Sequence, residues 1–429
     1  MTATELARLI RDGELSAAEA VDTHLVRIDE VNGVINAVVQ IAADRARAEA
    51  QAADEMLARG TLLGPLHGVP FTAKDIFETA GIVTAVGAVE RADVVPAEDA
   101  TAVARLRVAG AILLGKTNCP EWGGGIETDN ELYGRTNNPY DVDRTPGGSS
   151  GGECAIVAAG GSPLGLGSDS GGSLRLPAAW CGVVTIKPTA QLVPLTGVLD
   201  NRGELGALRD PRTQVGPIAR SVADVTLALR LIAGPDGRDA AVPPVPMGDV
   251  DSVELRGLRV GFYADNEISE PTPEVAETVR AAAAALAEAG LEVEETLPPS
   301  EGDLSLAIWR SYDGEMRSDE VYRVLGDWDR YRREMLVFLE RFDLVLCPVV
   351  AGPAPAHGGT SKLGVPNAVS YTTPYSLTGW PCAVVRCGWS AERLPIGVQL
   401  VAGPWRDHVA LAAAAYLEQA FGGWEEPPL

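Results

Sequence analysis

Val21, Leu25 and Ile28 recur at helical spacing through Ala17–Val31, directly behind Ser16 and Glu19, and Gly33 punctuates the run. A serine followed three residues later by glutamate satisfies two orphan N–H groups reciprocally, so this pattern predicts a capped helix. A second Ala/Arg/Glu-rich stretch, Ala42–Arg59, predicts another helix before Gly60. Neither carries chemistry, and residues 1–60 read as packing and covering helices. From Gly64 to Pro188 the texture changes to glycine-dense loops and short apolar runs such as Ala111–Leu114, with few helix signals in Asn137–Gly152; the chemistry is expected here. Farther on, Leu258–Tyr263, the alanine-rich Pro273–Ala289 and Leu291–Glu295 alternate as strand, helix and strand. Leu344–Val349, Ala383–Cys387 and Gly397–Ala402 predict further buried strands, and Asp407–Phe421 a closing helix. The one candidate linker is the proline-rich Ala241–Met247, but the strand-like segments on either side of it can share a sheet. We therefore read 1–429 as a single domain, with core motifs in 64–190 and the remainder of the sheet in 191–429.

Composition narrows the function classes. Hydrophobic residues make up 46% and charged residues 22%, as in a globular protein with a buried core. Acidic residues outnumber basic ones by 59 to 35, a formal charge of −24, which repels phosphate backbones and anionic lipids; nucleic acid is not an expected partner. Met1–Arg11 lacks a basic stretch followed by an apolar core, and apolar runs such as Leu344–Val350 are too short to cross a bilayer, so a cytoplasmic protein without membrane attachment is expected. The six cysteines contain no C-x-x-C pair, which argues against a zinc knuckle or redox motif and for reduced, mostly buried thiols.

Two short motifs match formally. Gly110-Ala-Ile-Leu-Leu-Gly115-Lys116-Thr117 fits the phosphate-loop pattern, but its four internal residues are themselves strand-like, where a phosphate loop needs a flexible anion cradle. Gly147-Gly-Ser149-Ser-Gly151 fits G-x-S-x-G, the elbow of α/β-hydrolases. That alternative needs a histidine base. Of the four histidines, His24 lies in a helix pattern and His67 precedes the serine, leaving His357 and His408.

The densest polar-glycine loops are Thr145–Gly152 and Gly167–Pro177. Glycine doublets let backbone N–H groups converge on one point, which a developing oxyanion requires, and a serine ending such a run, as in Gly171-Gly172-Ser173, can attack a carbonyl held there. Its proton needs an acceptor. Lysine is scarce, with Lys74, Lys116, Lys187 and Lys362 set against 31 arginines. Arginine stays charged, whereas a desolvated lysine can lose its proton. Lys74 ends the apolar approach His67-Gly-Val-Pro-Phe-Thr-Ala-Lys74. To act as base it must fall from about 10.4 to about 7–8, a shift that burial can supply. The residues alone thus suggest a serine/lysine hydrolase, without pairing Lys74 to either loop.

Together these segments closely resemble the amidase signature family. The resemblance runs through Gly147–Gly152, Gly167–Ala178, Cys181-Gly182 and Lys187-Pro-Thr189, and extends to Gly64–Asp75, Gly115–Glu121, Gly216–Val222 and Tyr371 through Leu400. Only about 301–340, a variable segment expected to shape the substrate pocket, looks unrelated to the common pattern. The resemblance implies a single α/β/α domain, a mixed twisted central sheet covered by helices on both faces. It also implies a catalytic triad: Ser173 as nucleophile, Ser149 as a bridging serine held by a cis peptide bond, and Lys74 as base. The intervals of 75 residues from Lys74 to Ser149 and 24 from Ser149 to Ser173 agree with it. By the same resemblance the N–H groups of Ser170, Gly171, Gly172 and Ser173 form the oxyanion hole, and Ser150, Asp169 and Arg175 hold the loops. Ser168, where threonine is commoner, and Thr185, where glycine is expected, should affect packing only. No metal or organic cofactor is implied, and the partner is a small-molecule amide, with a homodimer open. The leading expectation is a free-standing amidase; the alternative is the glutaminase subunit of a tRNA-dependent amidotransferase, against which Met316–Arg333 lacks an arginine- and tyrosine-rich pattern. A binding protein on an inactive amidase fold is a third reading, which the intact triad argues against. Trp122, Trp309, Tyr312, Trp328 and Trp380 are candidate pocket walls, although such aromatics more often serve the core.

Overall fold

A computed structural model describes residues 1–199, 212–299, 305, 307–308, 317–360 and 368–429. Short, mostly buried strands punctuated by turns build one eleven-stranded mixed sheet among these residues. In chain order they are β1 Val38–Ile41, β2 Pro70–Lys74, β3 Ile112–Thr117, β4 Leu164–Asp169, β5 Val184–Lys187, β6 Gln214–Ala219, β7 Arg259–Phe262, β8 Glu292–Glu295, β9 Leu344–Pro348, β10 Cys382–Trp389 and β11 Pro395–Ala402. Across the sheet the order is β1-β3-β2-β4-β6-β5-β10-β11-β9-β7-β8. Strand β2 runs parallel to β3 and β4, and β7 to β8 and β9; the other pairings are antiparallel. The segments on either side of the proline-rich 241–247 stretch do share this sheet.

The described helices are α1 Ala3–Arg11, α2 Ala17–Ile35, α3 Ala43–Ala58, α4 Thr101–Val108, α5 Gly151–Ala158, α6 Arg175–Trp180, α7 Val222–Ile232, α8 Pro273–Glu288, α9 Ser318–Phe338, α10 Thr373–Thr378 and α11 Asp407–Phe421. They cover both faces because successive strand side chains point to opposite sides. Leu113 joins Leu106 of α4, Val225 of α7, Val279 of α8 and Leu411 of α11 in one buried cluster. Its neighbours Ile112 and Leu114 join Ile28 of α2, Ala50 of α3, Ile156 of α5 and Ala178 of α6 in another.

Two boundaries differ from expectation, each for a local reason. Helix α2 continues through Gly33 to Ile35 and ends where Asn36 turns left-handed at φ 49°. An interior glycine costs about 1 kcal/mol, which burial of Val31 and Ile35 offsets. The predicted capping box is present, with Ser16 Oγ accepting from Glu19 N–H and Glu19 Oε2 from Ser16 N–H. Strand β3 runs beyond Leu114 to Thr117, and its pairing with β2 slips by one residue between Leu113 and Gly115. Such a bulge resets which side chains face which layer. At Gly115 the bulge brings β1 so close that an added Cβ would lie 2.2 Å from the Gln40 carbonyl oxygen. Gly115→Ala is therefore expected to lower stability by about 1–3 kcal/mol, read as a lower Tm with the glutamine-bearing edge strand displaced.

Candidate active site

Strands β2 and β4 run parallel and side by side, so their carboxyl ends lie at the same edge of the sheet, the edge outside which ligands of open α/β sheets characteristically bind. Lys74 is the last residue of β2 and has no exposed surface. Its Nζ donates to Ser149 Oγ at 2.6 Å and to Ser168 Oγ at 2.9 Å. Ser149 is 2% exposed, in the loop entering α5, and the Gly148–Ser149 peptide is cis. Ser173 lies between β4 and α6 and is half-buried, more exposed than the lysine. The two glycine loops are tied together: Ser150 N–H donates to the Ser173 carbonyl at 3.1 Å, and Ser150 Oγ donates to the Ser168 carbonyl at 3.1 Å. Gly123, at φ 69°, stands over the Lys74–Ser149 pair; a Cβ there would lie 3.7 Å from Ser149 Oγ.

Asp169 and Arg175 form a fully buried pair behind Ser173. Arg175 donates through Nε to Asp169 Oδ2 at 2.9 Å and through Nη2 to Oδ1 at 3.0 Å. It also reaches the Thr372 carbonyl at 2.9 Å and Ser376 Oγ at 2.7 Å. Asp169 in turn accepts the N–H groups of Gly172, Leu174 and Arg175. Burial pushes its carboxyl up, but Arg175 and the N–H donors more than offset this and leave its pKa below the ordinary value. The Gly172 N–H therefore donates to Asp169 Oδ1, at 2.8 Å, so of the four expected oxyanion donors those of Ser170, Gly171 and Ser173 remain candidates. Gly172 itself is required by the backbone, with φ 138° and a hypothetical Cβ only 2.0 Å from Leu176 Cδ1.

Ser168 is a residue whose place the sequence reading missed: it touches the lysine amine rather than packing alone. Glu153 of α5 was also missed. It is fully buried and accepts hydrogen bonds from Thr72 Oγ1 and, at 2.7 Å, from Thr117 Oγ1. The signal available was a glutamate two residues beyond a Ser-Ser-Gly loop in an otherwise apolar helix.

The phosphate-loop resemblance dissolves. Gly115 and Lys116 are interior strand residues, and Lys116 Nζ, wholly buried, donates to the Phe77 carbonyl at 2.6 Å and Thr84 Oγ1 at 3.1 Å beside Asp75 at 3.5 Å. Burial lowers the pKa of Lys116 and raises that of Asp75, with each opposing the shift of the other. The histidines lie elsewhere. His24 Nδ1 meets the Ala20 carbonyl and burial drops it to about 4; His67 bridges Leu63 N–H and the Ala53 carbonyl; His357 meets the Val142 carbonyl; His408 packs beside Gly248. Ser149 is bonded to a lysine, so the histidine-based elbow has no support in the geometry. Trp328 and Trp380 are buried with Tyr263, Tyr331, Tyr371 and Tyr375 in an aromatic core. Trp122 is partly buried, adjoins Gly123, and donates from Nε1 to Glu90. Trp309 and Tyr312 lie outside the described residues. All six cysteines are buried free thiols. Among the described residues no group of three or more His, Cys, Asp or Glu side chains is arranged to hold a metal, and no helix is long and apolar enough to cross a membrane.

The family model described as Amidase matches residues 19–322 and 314–411, its two blocks meeting inside the segment that looked variable. A subunit of the glutamyl-tRNA(Gln) amidotransferase from Moorella thermoacetica is 37% identical over 482 aligned positions, covering 98% of this chain and 96% of that protein. An acylamidase of Rhodococcus erythropolis is 34% identical, covering 97% and 95%. The solved structure of 6-aminohexanoate cyclic dimer hydrolase with its substrate superposes with a TM-score of 0.88 at 29% identity, covering 98% and 97%. This chain belongs to the amidase family, the amidase signature enzymes, which act on amide C–N bonds.

Proposed function

We propose that this protein hydrolyses a carboxamide through an acyl-enzyme on Ser173, with Ser149 and Lys74 relaying the proton. The observation that carries the reading is the 2.6 Å contact between a lysine amine without exposed surface and a serine hydroxyl. When Lys74 is neutral the same contact runs in reverse, Ser149 donating to the amine. Ser149 then takes the Ser173 proton as Ser173 Oγ bonds to the amide carbon. The tetrahedral oxyanion is met by backbone N–H groups of the Ser170–Ser173 turn, and collapse breaks the C–N bond as the proton returns along the relay to the leaving nitrogen. Water attacks the resulting ester by the same relay run again. No step calls for a metal or organic cofactor.

Lys74→Ala is expected to lower kcat/KM by on the order of 10³ or more, while His357→Ala and His408→Ala stay within about threefold of the parent. A dead histidine variant beside an active Lys74→Ala would overturn the relay.

We read the protein as a free-standing amidase acting on a small or medium carboxamide. The relative from Moorella supports a second reading, a glutaminase subunit that works with partner proteins. The acylamidase of Rhodococcus, 34% identical over nearly the whole chain, supports the first reading. Amides of graded acyl size assayed beside glutamine, with co-purifying proteins identified, separate the two: glutaminase activity that needs partner proteins would favour the second.

A further inference from the structure

Two of the fully buried carboxyls around the site, Asp169 and Glu153, have surroundings that differ in kind. Among the described residues Asp169 is met by donors, a guanidinium and three backbone N–H groups, which suit a carboxylate because a carboxylate can only accept. Glu153 is met by the hydroxyls of Thr72 and Thr117, which can accept as readily as they donate. The nearby lysines direct their amines elsewhere: Lys116 sits beside Asp75, and Lys74 points to Ser149 and Ser168. The slot is built for this side chain. Gly165 of β4 leaves the room, since a Cβ there would lie 2.1 Å from Glu153 Oε1, and the bulge in β3 brings Thr117 to the α5 side while Lys116 reaches away to the Phe77 carbonyl.

We propose that Glu153 is a positioning residue that carries its proton in the working enzyme, bracing Thr72 on β2 and Thr117 on β3 behind Lys74 without placing there a negative charge that would hold Lys74 as ammonium. This rests on the reading of Lys74 as the base. A charge buried without a counter-ion in contact is costly, and a carboxyl in that position takes up a proton instead. Burial raises Glu153 to about 8, opposed by the hydrogen bonds of Thr72 and Thr117 and by the charges of Lys116 and Lys74. The charged groups facing it are thus Lys74 from β2 and Lys116 from β3, the latter largely compensated by Asp75. If Glu153 ionised at working pH, the negative charge would raise the pKa of Lys74 and withdraw the base.

The test is Glu153→Gln, which keeps the shape and one donor and one acceptor while removing the charge at every pH. The expected result is kcat/KM within about threefold of the parent at pH 7 and an acid limb of the pH–rate profile that does not move. An acid limb displaced downward by about one pH unit or more would mean that a carboxylate had been acting on Lys74, and overturns the proposal. Infrared spectroscopy of the parent at pH 7 should show a protonated-carboxyl stretch that disappears in Glu153→Gln; its absence also overturns the proposal. Should Glu153→Gln fail to fold, Thr117→Val serves instead: removal of the hydroxyl shifts that band, and a band indifferent to it belongs to another carboxyl and counts against Glu153. The infrared band reads the proton irrespective of turnover, so its loss sinks this inference alone, whereas turnover that survives Ser173→Ala sinks the reading beneath it.

Discussion

Ser173→Ala is expected to lower kcat/KM toward every amide the protein cleaves by on the order of 10⁴ or more, with Tm and circular dichroism unchanged. The size follows from the role. On the proposed role, removing the nucleophile leaves only the binding and polarisation of the carbonyl. The fold is expected to survive because Ser173 is half-buried and its contribution to the tied loops is a backbone carbonyl, which alanine keeps. A covalent serine probe read by mass spectrometry supplies the direct check: the adduct should map to Ser173 in the parent and vanish in the variant. Labelling at Ser149 with turnover retained would transfer the nucleophile to the other loop.

Arg175→Ala is expected to cost about 3–5 kcal/mol of stability, the penalty for leaving a buried carboxylate without its counter-ion. Asp169 and Arg175 have no exposed surface, and the arginine donates to both oxygens of the carboxylate at once. Lysine at 175 rescues the charge but not the fork and should recover only part of the loss. Function falls along with stability, because Asp169 holds the N–H groups on both sides of Ser173; a kcat lowered by about 10²-fold in the folded fraction is expected. The pH dependence has a definite sign. A carboxyl whose folded pKa is depressed contributes stability that is present above its unfolded value, about 3.9, and is lost as pH falls through the folded value. Acid denaturation below about pH 4 should thus be the limb that Asp169 governs, and Asp169→Asn should flatten it. Glu153 acts in the opposite sense: raised to about 8, it contributes stability that is full below its unfolded value and declines as pH rises through about 8. Thermal melts across that range should slope downward in the parent and less so in Glu153→Gln.

Much of the site is legible along the chain because glycine and serine are placed where backbone geometry demands them. Gly171-Gly172-Ser173 announces a turn that only glycine can make, and the structure shows the reason in the Leu176 side chain packed against Gly172. Helix starts come out of the local pattern to the residue: α2 begins directly behind its Ser16 cap, although it runs on past Gly33, and α11 spans Asp407–Phe421 as its apolar stripe predicts. Pocket walls do not. Trp328 and Trp380 have the composition of a substrate pocket but pack into a core, because an aromatic ring satisfies either role and only its neighbours decide.

Local conformations and the inventory of chemistry are legible along the chain: buried strands, capped helices, two glycine loops carrying serines, and a lysine at the end of an apolar approach. The tertiary structure alone decided which of those groups meet. Lys74 and Ser149 are 75 residues apart and come within 2.6 Å only because β2 and β4 lie side by side beneath α5. Proton affinity was decided there too, since a guanidinium holds the buried Asp169 below the ordinary carboxyl value while burial against two hydroxyls raises Glu153. Sequence spacing carries no information about dielectric surroundings; those arise only when strands from distant parts of the chain exclude water around one side chain.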